Sequence, residues 1–171
     1  GFLPWLAADL ARAAHHKGGR SVVIVADEAA MRALAETAPL FAPEVEVLTF
    51  PGWDCLPYDR ASPALRVMAE RLATLNALQA KQDKPQLLVA TASAATQRLL
   101  TSFRIRQLTR RIVEGEGVER EALIRQLNAL GYQRADTVAE HGEYAVRGSL
   151  IDLFPAGEGL ALRLDFFGDE I

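Results

Sequence analysis

Three short apolar runs constrain this chain more than anything else in it. "SVVIVA" (21–26), "VEVLTF" (45–50) and "QLLVAT" (86–91) are strand-length and rich in β-branched residues. Between them lie stretches whose apolar residues recur on a helical period. Pro4 to His16 places Trp5, Leu6, Leu10 and Ala13 on one stripe, and Lys17-Gly18-Gly19 stops it. Helical patterns return over 28–40 and roughly 63–80, and Ser93 is placed to cap a short helix running to Leu100. Strand–helix alternation of this kind predicts an α/β fold, a doubly wound sheet of parallel strands with right-handed connections. The unbroken apolar character of "SVVIVA" predicts a strand covered on both faces.

After about residue 105 the pattern changes. "RIRQLTRRIV" reads as a strand, "GEGVER" as a turn, and 119–130 as a helix ended by Gly131. Beyond it come only strands and turns, at 133–138, 143–154 and 160–167, with "PAGEG" joining the last two. Clustered strands after an alternating region predict a second, smaller α+β module. The expectation is therefore two domains, residues 1–105 and 106–171, the second cut short at Ile171.

Charge is divided unevenly. Residues 1–105 carry 11 basic and 10 acidic groups, net +1, and residues 106–171 carry 8 and 12, net −4, giving the overall −3. Neither half has the basic balance of an electrostatic nucleic-acid binder. No apolar run approaches the length of a transmembrane helix, so no membrane partner is expected. The start, Gly1-Phe2-Leu3-Pro4-Trp5, lacks an initiator Met and a basic region, which reads as an excised fragment rather than a signal peptide. A single cysteine, Cys55, excludes an internal disulfide and any multi-cysteine metal site, and fits a reducing, cytoplasmic setting. His15 and His16 diverge on a helix and His141 stands alone, so no metal ligand set is expected.

Catalytic and cofactor motifs are tested in turn. The turn after "SVVIVA" reads "DEAA", with no glycine and with Asp27 and Glu28 where a phosphate needs N–H groups and positive potential. A Walker loop is absent, and so is Gly-x-Ser-x-Gly. No cofactor and no catalytic residue is assigned. The one alternative is a small α/β enzyme using Asp54 and Asp59 as a carboxylate pair in "GWDCLPYD", a loop that follows a strand. Against it, Pro51, Trp53, Pro57 and Tyr58 read as packing residues, and no base stands beside the pair.

The C-terminal strands carry a different signal. In "LALRLDFF" Leu160, Leu162, Leu164 and Phe166 fall on one face and Ala161, Arg163, Asp165 and Phe167 on the other. The first set suits a core; the second leaves Phe167 outward in line with Arg163, the composition of an interface anchor. In "HGEYAVRGSLIDLFP" (141–155) Tyr144 and Val146 differ in parity from Ile151 and Leu153. One extra residue at Arg147-Gly148, a bulge, reconciles them. Asp152 then faces Arg163 on the outer side, and Arg147 comes opposite Phe167. Arg147, Arg163 and Phe167 form one outward patch; a merely solvated face is the alternative.

These stretches also carry a resemblance. "HGEYAVRGSLIDLFP" followed by "LRLDFFGDEI" resembles the segment shared by the bacterial transcription-repair coupling factors (Mfd) and the excision-repair helicase UvrB, and "PGWDCLPYDRASPALRVMAERLATLNAL" is similar to the coupling factors specifically. The place of UvrB's Walker loop is taken by "GFLPWLAADLARA", and "LPYDRASP" runs into the 63–80 helix without UvrB's inserted hairpin. The resemblance implies a degenerate helicase-like α/β domain without ATP hydrolysis, followed by a domain that binds UvrA. It implies that Arg147, Arg163 and Phe167 are the UvrA-contacting positions. It further implies a parent protein that is an ATP-driven DNA translocase, displacing stalled RNA polymerase in transcription-coupled nucleotide excision repair, with its motor and polymerase-binding parts beyond Ile171.

Overall fold

The computed structural model describes residues 1–56 and 62–171. It divides into two compact units, Gly1–Leu100 and Thr101–Ile171.

The first unit runs α1 (Phe2–His16), β1 (Ser21–Val25), α2 (Glu28–Phe41), β2 (Glu46–Phe50), α3 (Leu65–Ala77), β3 (Gln86–Thr91) and α4 (Ala92–Ala95). Its three strands are all parallel, in the order β1-β3-β2. The expected α/β class with a parallel sheet is what forms. Helix α2 begins where Asp27 accepts a hydrogen bond from the Ala30 N–H at 2.8 Å, which satisfies one of the helix's first free donors. Ala7, Ala8 and Ala11 of α1 pack with Met31, Leu34 and Ala38 of α2 and with Leu87 and Val89 of β3. Alanines let the helix approach closely, while burying each of the larger side chains contributes roughly 1.5–3 kcal/mol.

The other face of the sheet is covered in part. Phe50, Leu88 and Ala90 pack with Leu75 of α3 and Ala94 of α4. Val22 and Ile24 lie in register with Leu88 and Ala90, yet they are 56% and 59% exposed. The expectation that "SVVIVA" is covered on both faces is therefore corrected. β1 is an edge strand, and α3 lies against β2. Apolar composition alone does not separate a central strand from an edge strand with one bare face. The cap of α4 also differs from expectation: Thr91, not Ser93, accepts from the Ala94 N–H at 3.2 Å, and the helix ends at Ala95.

The second unit contains α5 (Ser102–Leu108), α6 (Arg120–Ala129), β4 (Gln133–Arg134), β5 (Glu143–Arg147), β6 (Leu150–Leu153) and β7 (Leu162–Asp165). Its sheet has the order β4-β5-β6-β7, parallel between β4 and β5 and antiparallel thereafter. Val118, Leu123 and Leu127 pack against Tyr144, Ile151, Leu153 and Phe166 to form its core.

Two sequence expectations fail here. "RIRQLTRRIV" is not a strand: Thr101 accepts from the Arg104 N–H at 3.3 Å and starts α5, and Ile105 is its one buried residue. Ile105 and Leu108 stand three residues apart, a helical rather than an alternating spacing, and Ile105 inside anchors the helix. The 133–138 strand is likewise only the two residues of β4.

Candidate functional site

The 143–154 stretch is not one bulged strand but two strands joined by a tight turn. Arg147 pairs with Leu150 across Gly148 and Ser149, and Gly148 takes a φ of +60°. A two-residue hairpin loop of that kind favours a residue without a Cβ at the left-handed position. The turn resolves the change of parity that the sequence presents. Tyr144 pairs with Leu153 and Val146 with Ile151 on the core face; Ala145 with Asp152 and Arg147 with Leu150 on the outer face. The expected bulge is corrected, and so is the expected placement of Arg147 opposite Phe167: β6 lies between β5 and β7, Arg147 pairs with Leu150, and the outward placement of Arg147 follows from the turn.

β7 adds the second arginine. Asp152 stands opposite Arg163, as strand parity predicts. Arg163 donates from Nε to Asp152 Oδ1 at 2.6 Å and from Nη2 to Oδ2 at 3.0 Å. The Arg163 side chain is 59% exposed and that of Asp152 15% exposed, so the guanidinium sits over a largely covered carboxylate. The hydrogen bonds from Arg163 hold Asp152 below its usual carboxylate range, with a further pull from the charge of Arg147, and Asp152 in turn raises Arg163.

Arg147 is oriented from outside the hairpin. Its Nη2 donates to the Asp136 carbonyl at 2.7 Å and to Thr137 Oγ1 at 3.0 Å. Neither anchor is legible in the sequence, because the turn at 136–137 reaches the arginine only after β4 and β5 pair. Arg120 of α6 supports the hairpin from beneath by donating to the Gly148 carbonyl.

Phe167 follows β7 and is 92% exposed, whereas Phe166 beside it is 5% exposed and belongs to the core. Reciprocal backbone hydrogen bonds between Phe167 and Glu170, across Gly168 at a φ of +67°, fix the turn that displays it. Of the expected core face, Phe166 and Leu164 pack inside, but Leu160 and Leu162 are exposed at the strand's entrance. Arg147 and Arg163 line one hollow; Phe167 does not line it.

The loop after β2 has a structural arrangement. The Asp54 carboxylate accepts from the Ala64 N–H at 3.1 and 3.3 Å, before the start of α3. Asp59 and Tyr58 lie outside the described residues, so the pairing of Asp54 with Asp59 is not described. Arg71 is buried with its guanidinium 4.2 Å from the Phe50 ring centroid and 4.1 Å from that of Trp53, and it donates to the Pro51 carbonyl. Burial pushes the Arg71 guanidinium down from its usual range. The sequence signal for Arg71 is its place between Val67 and Thr74 on the buried stripe of α3. A Cβ on Gly52 would meet the Ser93 hydroxyl, which would have to rotate away to admit it. His141 is also in a structural role, stacked on Phe154 with centroids 3.9 Å apart. Among the described residues no group of three His, Cys, Asp or Glu side chains is disposed to hold a metal, and no helix is long and apolar enough to cross a membrane.

Comparison with known proteins places the sheet that carries this surface. The UvrB interaction domain family matches residues 111–171, which include β4 to β7 and the loops around them and make up most of the second unit. The chain as a whole is homologous to transcription-repair-coupling factors, the family its motifs resemble. It is 36% identical to the Escherichia coli transcription-repair-coupling factor over 162 residues, 95% of this chain and 14% of that protein. It is 40% identical to the Haemophilus influenzae one over 126 residues, 74% of this chain and 11% of that protein. The UvrABC system protein B of Bifidobacterium longum is 41% identical over 58 residues, 34% of this chain and 8% of that protein. The chain thus spans a small part of the length of the relatives it matches.

Proposed function

We propose that this chain is a docking module of transcription-coupled nucleotide excision repair that recruits UvrA through Arg147, Arg163 and Phe167. The observation that supports it best is the exposure of Phe167 and of two arginines held by their own hydrogen bonds, all within the residues matched by the UvrB interaction domain. Exposed aromatic and Arg side chains on a rigid sheet are the usual material of binding hot spots. In this reading the chain itself is not an enzyme and takes no cofactor. The longer protein is a cytoplasmic, ATP-dependent DNA translocase that engages DNA and displaces stalled RNA polymerase through its other parts.

The experiment is a titration of UvrA against this chain and its Arg147→Ala, Arg163→Ala and Phe167→Ala variants, with melting temperatures measured alongside. Binding lost at unchanged melting temperature is expected. Wild-type affinity in both arginine variants, or loss that merely tracks unfolding, overturns the reading. Calorimetry with ATP should give no micromolar binding. An enzymatic reading on Asp54 and Asp59 has less support, because the Asp54 carboxylate is already engaged by the Ala64 N–H.

A further inference from the structure

An open hollow of about 340 Å³ lies on the outer face of the second unit, lined by Thr137, Val138, Arg147, Asp152, Ala161 and Arg163 among others. Its charged lining is two guanidiniums and one carboxylate, a net charge of +1. The carboxylate is spent, since both Asp152 oxygens accept from Arg163. The guanidiniums are not. Arg147 uses Nη2 on the 136–137 turn, and Arg163 uses Nε and Nη2 on Asp152, so Arg147 keeps its Nε and Nη1 donors and Arg163 its Nη1 donors. A planar guanidinium clamped on one edge presents its remaining donors in a fixed direction, which suits a carboxylate acceptor.

We propose that this hollow is the subsite for an acidic side chain of the docking protein, with Arg147 and Arg163 as its cationic walls and Asp152 as the positioning residue that aims Arg163. The inference rests on the docking reading above and adds to it an acceptor chemistry, a pocket and a residue outside the three-residue patch. Asp152 has two opposed effects. Its charge subtracts from the field that attracts an acidic partner, while its clamp removes the freedom of a long side chain before docking.

Those effects separate in kinetics. With UvrA as the probe, Asp152→Asn should leave association as fast as wild type or faster, because the surface loses a negative charge. It should speed dissociation about tenfold, because Arg163 is no longer held. Ala161 is exposed and outside a strand, so it is the position at which to fill the hollow. Ala161→Trp should weaken UvrA binding about tenfold by occupying the space, and Ala161→Glu should do the same by supplying a competing carboxylate. Melting temperature serves as the folding check for each variant, and Ala161→Glu decides the matter if Ala161→Trp does not fold. If Arg147→Ala and Arg163→Ala lose binding while Asp152→Asn and Ala161→Glu bind with wild-type kinetics, the hollow is not a subsite, though the docking surface stands. If the arginine variants themselves bind normally, the docking reading fails and this inference fails with it.

Discussion

The Tyr144 hydroxyl donates to Asn128 Oδ1 at 2.9 Å, tying β5 to α6 on the side of the sheet opposite the outward arginines. Tyr144 is 1% exposed, so the bond joins strand and helix from within the core. Tyr144→Phe keeps the ring and leaves Asn128 without this donor, and should cost about 1 kcal/mol of stability. UvrA affinity at a temperature well below melting should not change. A variant that melts normally but binds poorly would mean that the core face, not the outer face, shapes the docking surface.

The outer patch should respond in the opposite sense. Arg147→Ala, Arg163→Ala and Phe167→Ala each truncate an exposed side chain, and central anchors commonly cost about 2 kcal/mol, or roughly thirtyfold in affinity. Arg163→Glu should bind more weakly than Arg163→Ala, because it sets a like charge both beside Asp152 and against an acidic partner. Leu164→Ala, which opens space in the core, should lower the melting temperature instead. Affinity plotted against melting temperature for these variants separates the two faces.

Trp53 tests the first unit. It is 41% exposed and forms one side of the stack on Arg71. Trp53→Ala removes a cation–π partner and apolar cover from a buried guanidinium, at about 1–2 kcal/mol. Denaturant unfolding of the first unit should register that loss. No change in midpoint would assign the loop no part in its stability.

Acid should weaken the second unit through two carboxylates. Glu143 is held below its usual range by the Ala139 and Glu140 N–H groups, at 2.8 and 2.9 Å, and Asp152 is held there by Arg163. Folded values below unfolded ones mean that the stability they contribute is complete above the unfolded range and is lost as pH falls through the folded values. Melting temperature should hold between pH 7 and about 5 and decline below about 4. Combining Glu143→Gln with Asp152→Asn should make that decline shallower, and an equally steep one would exclude both groups as its source.

Much of this was legible from local pattern. Asp152 opposite Arg163, and Phe166 inside with Phe167 outside, follow from the two-residue period of a strand once its direction is known. The three parallel strands of the first unit follow from their β-branched runs. What pattern misread were places where one local signal serves two structures. Arg147-Gly148 fits a bulge or a hairpin turn, and only the pairing of Arg147 with Leu150 decides. In "RIRQL" the step from Arg104 through Ile105 to Arg106 fits a strand, while the three-residue spacing of Ile105 and Leu108 fits the helix that forms. Val22 and Ile24 look like central-strand residues, yet their exposure depends on where α3 lies, which no residue of β1 encodes. The anchors of Arg147 were beyond reach for the same reason, since they exist only once the 136–137 turn comes to rest beside β5.

The meander of β5, β6 and β7 has a consequence for how the surface arises. Its strands are consecutive, its pairings join neighbours in the chain, and even the Arg147 anchor is only 10 or 11 residues away. Closing short loops costs little chain entropy, and contacts between sequence neighbours form quickly. Although the turn that displays Phe167 is tied to distant residues, its Asp169 carbonyl accepting from the Val118 N–H, the two arginines are brought together by a low-contact-order hairpin array. During refolding this face should mature on the time scale of local hairpins, without waiting for the parallel strands of the first unit to find one another.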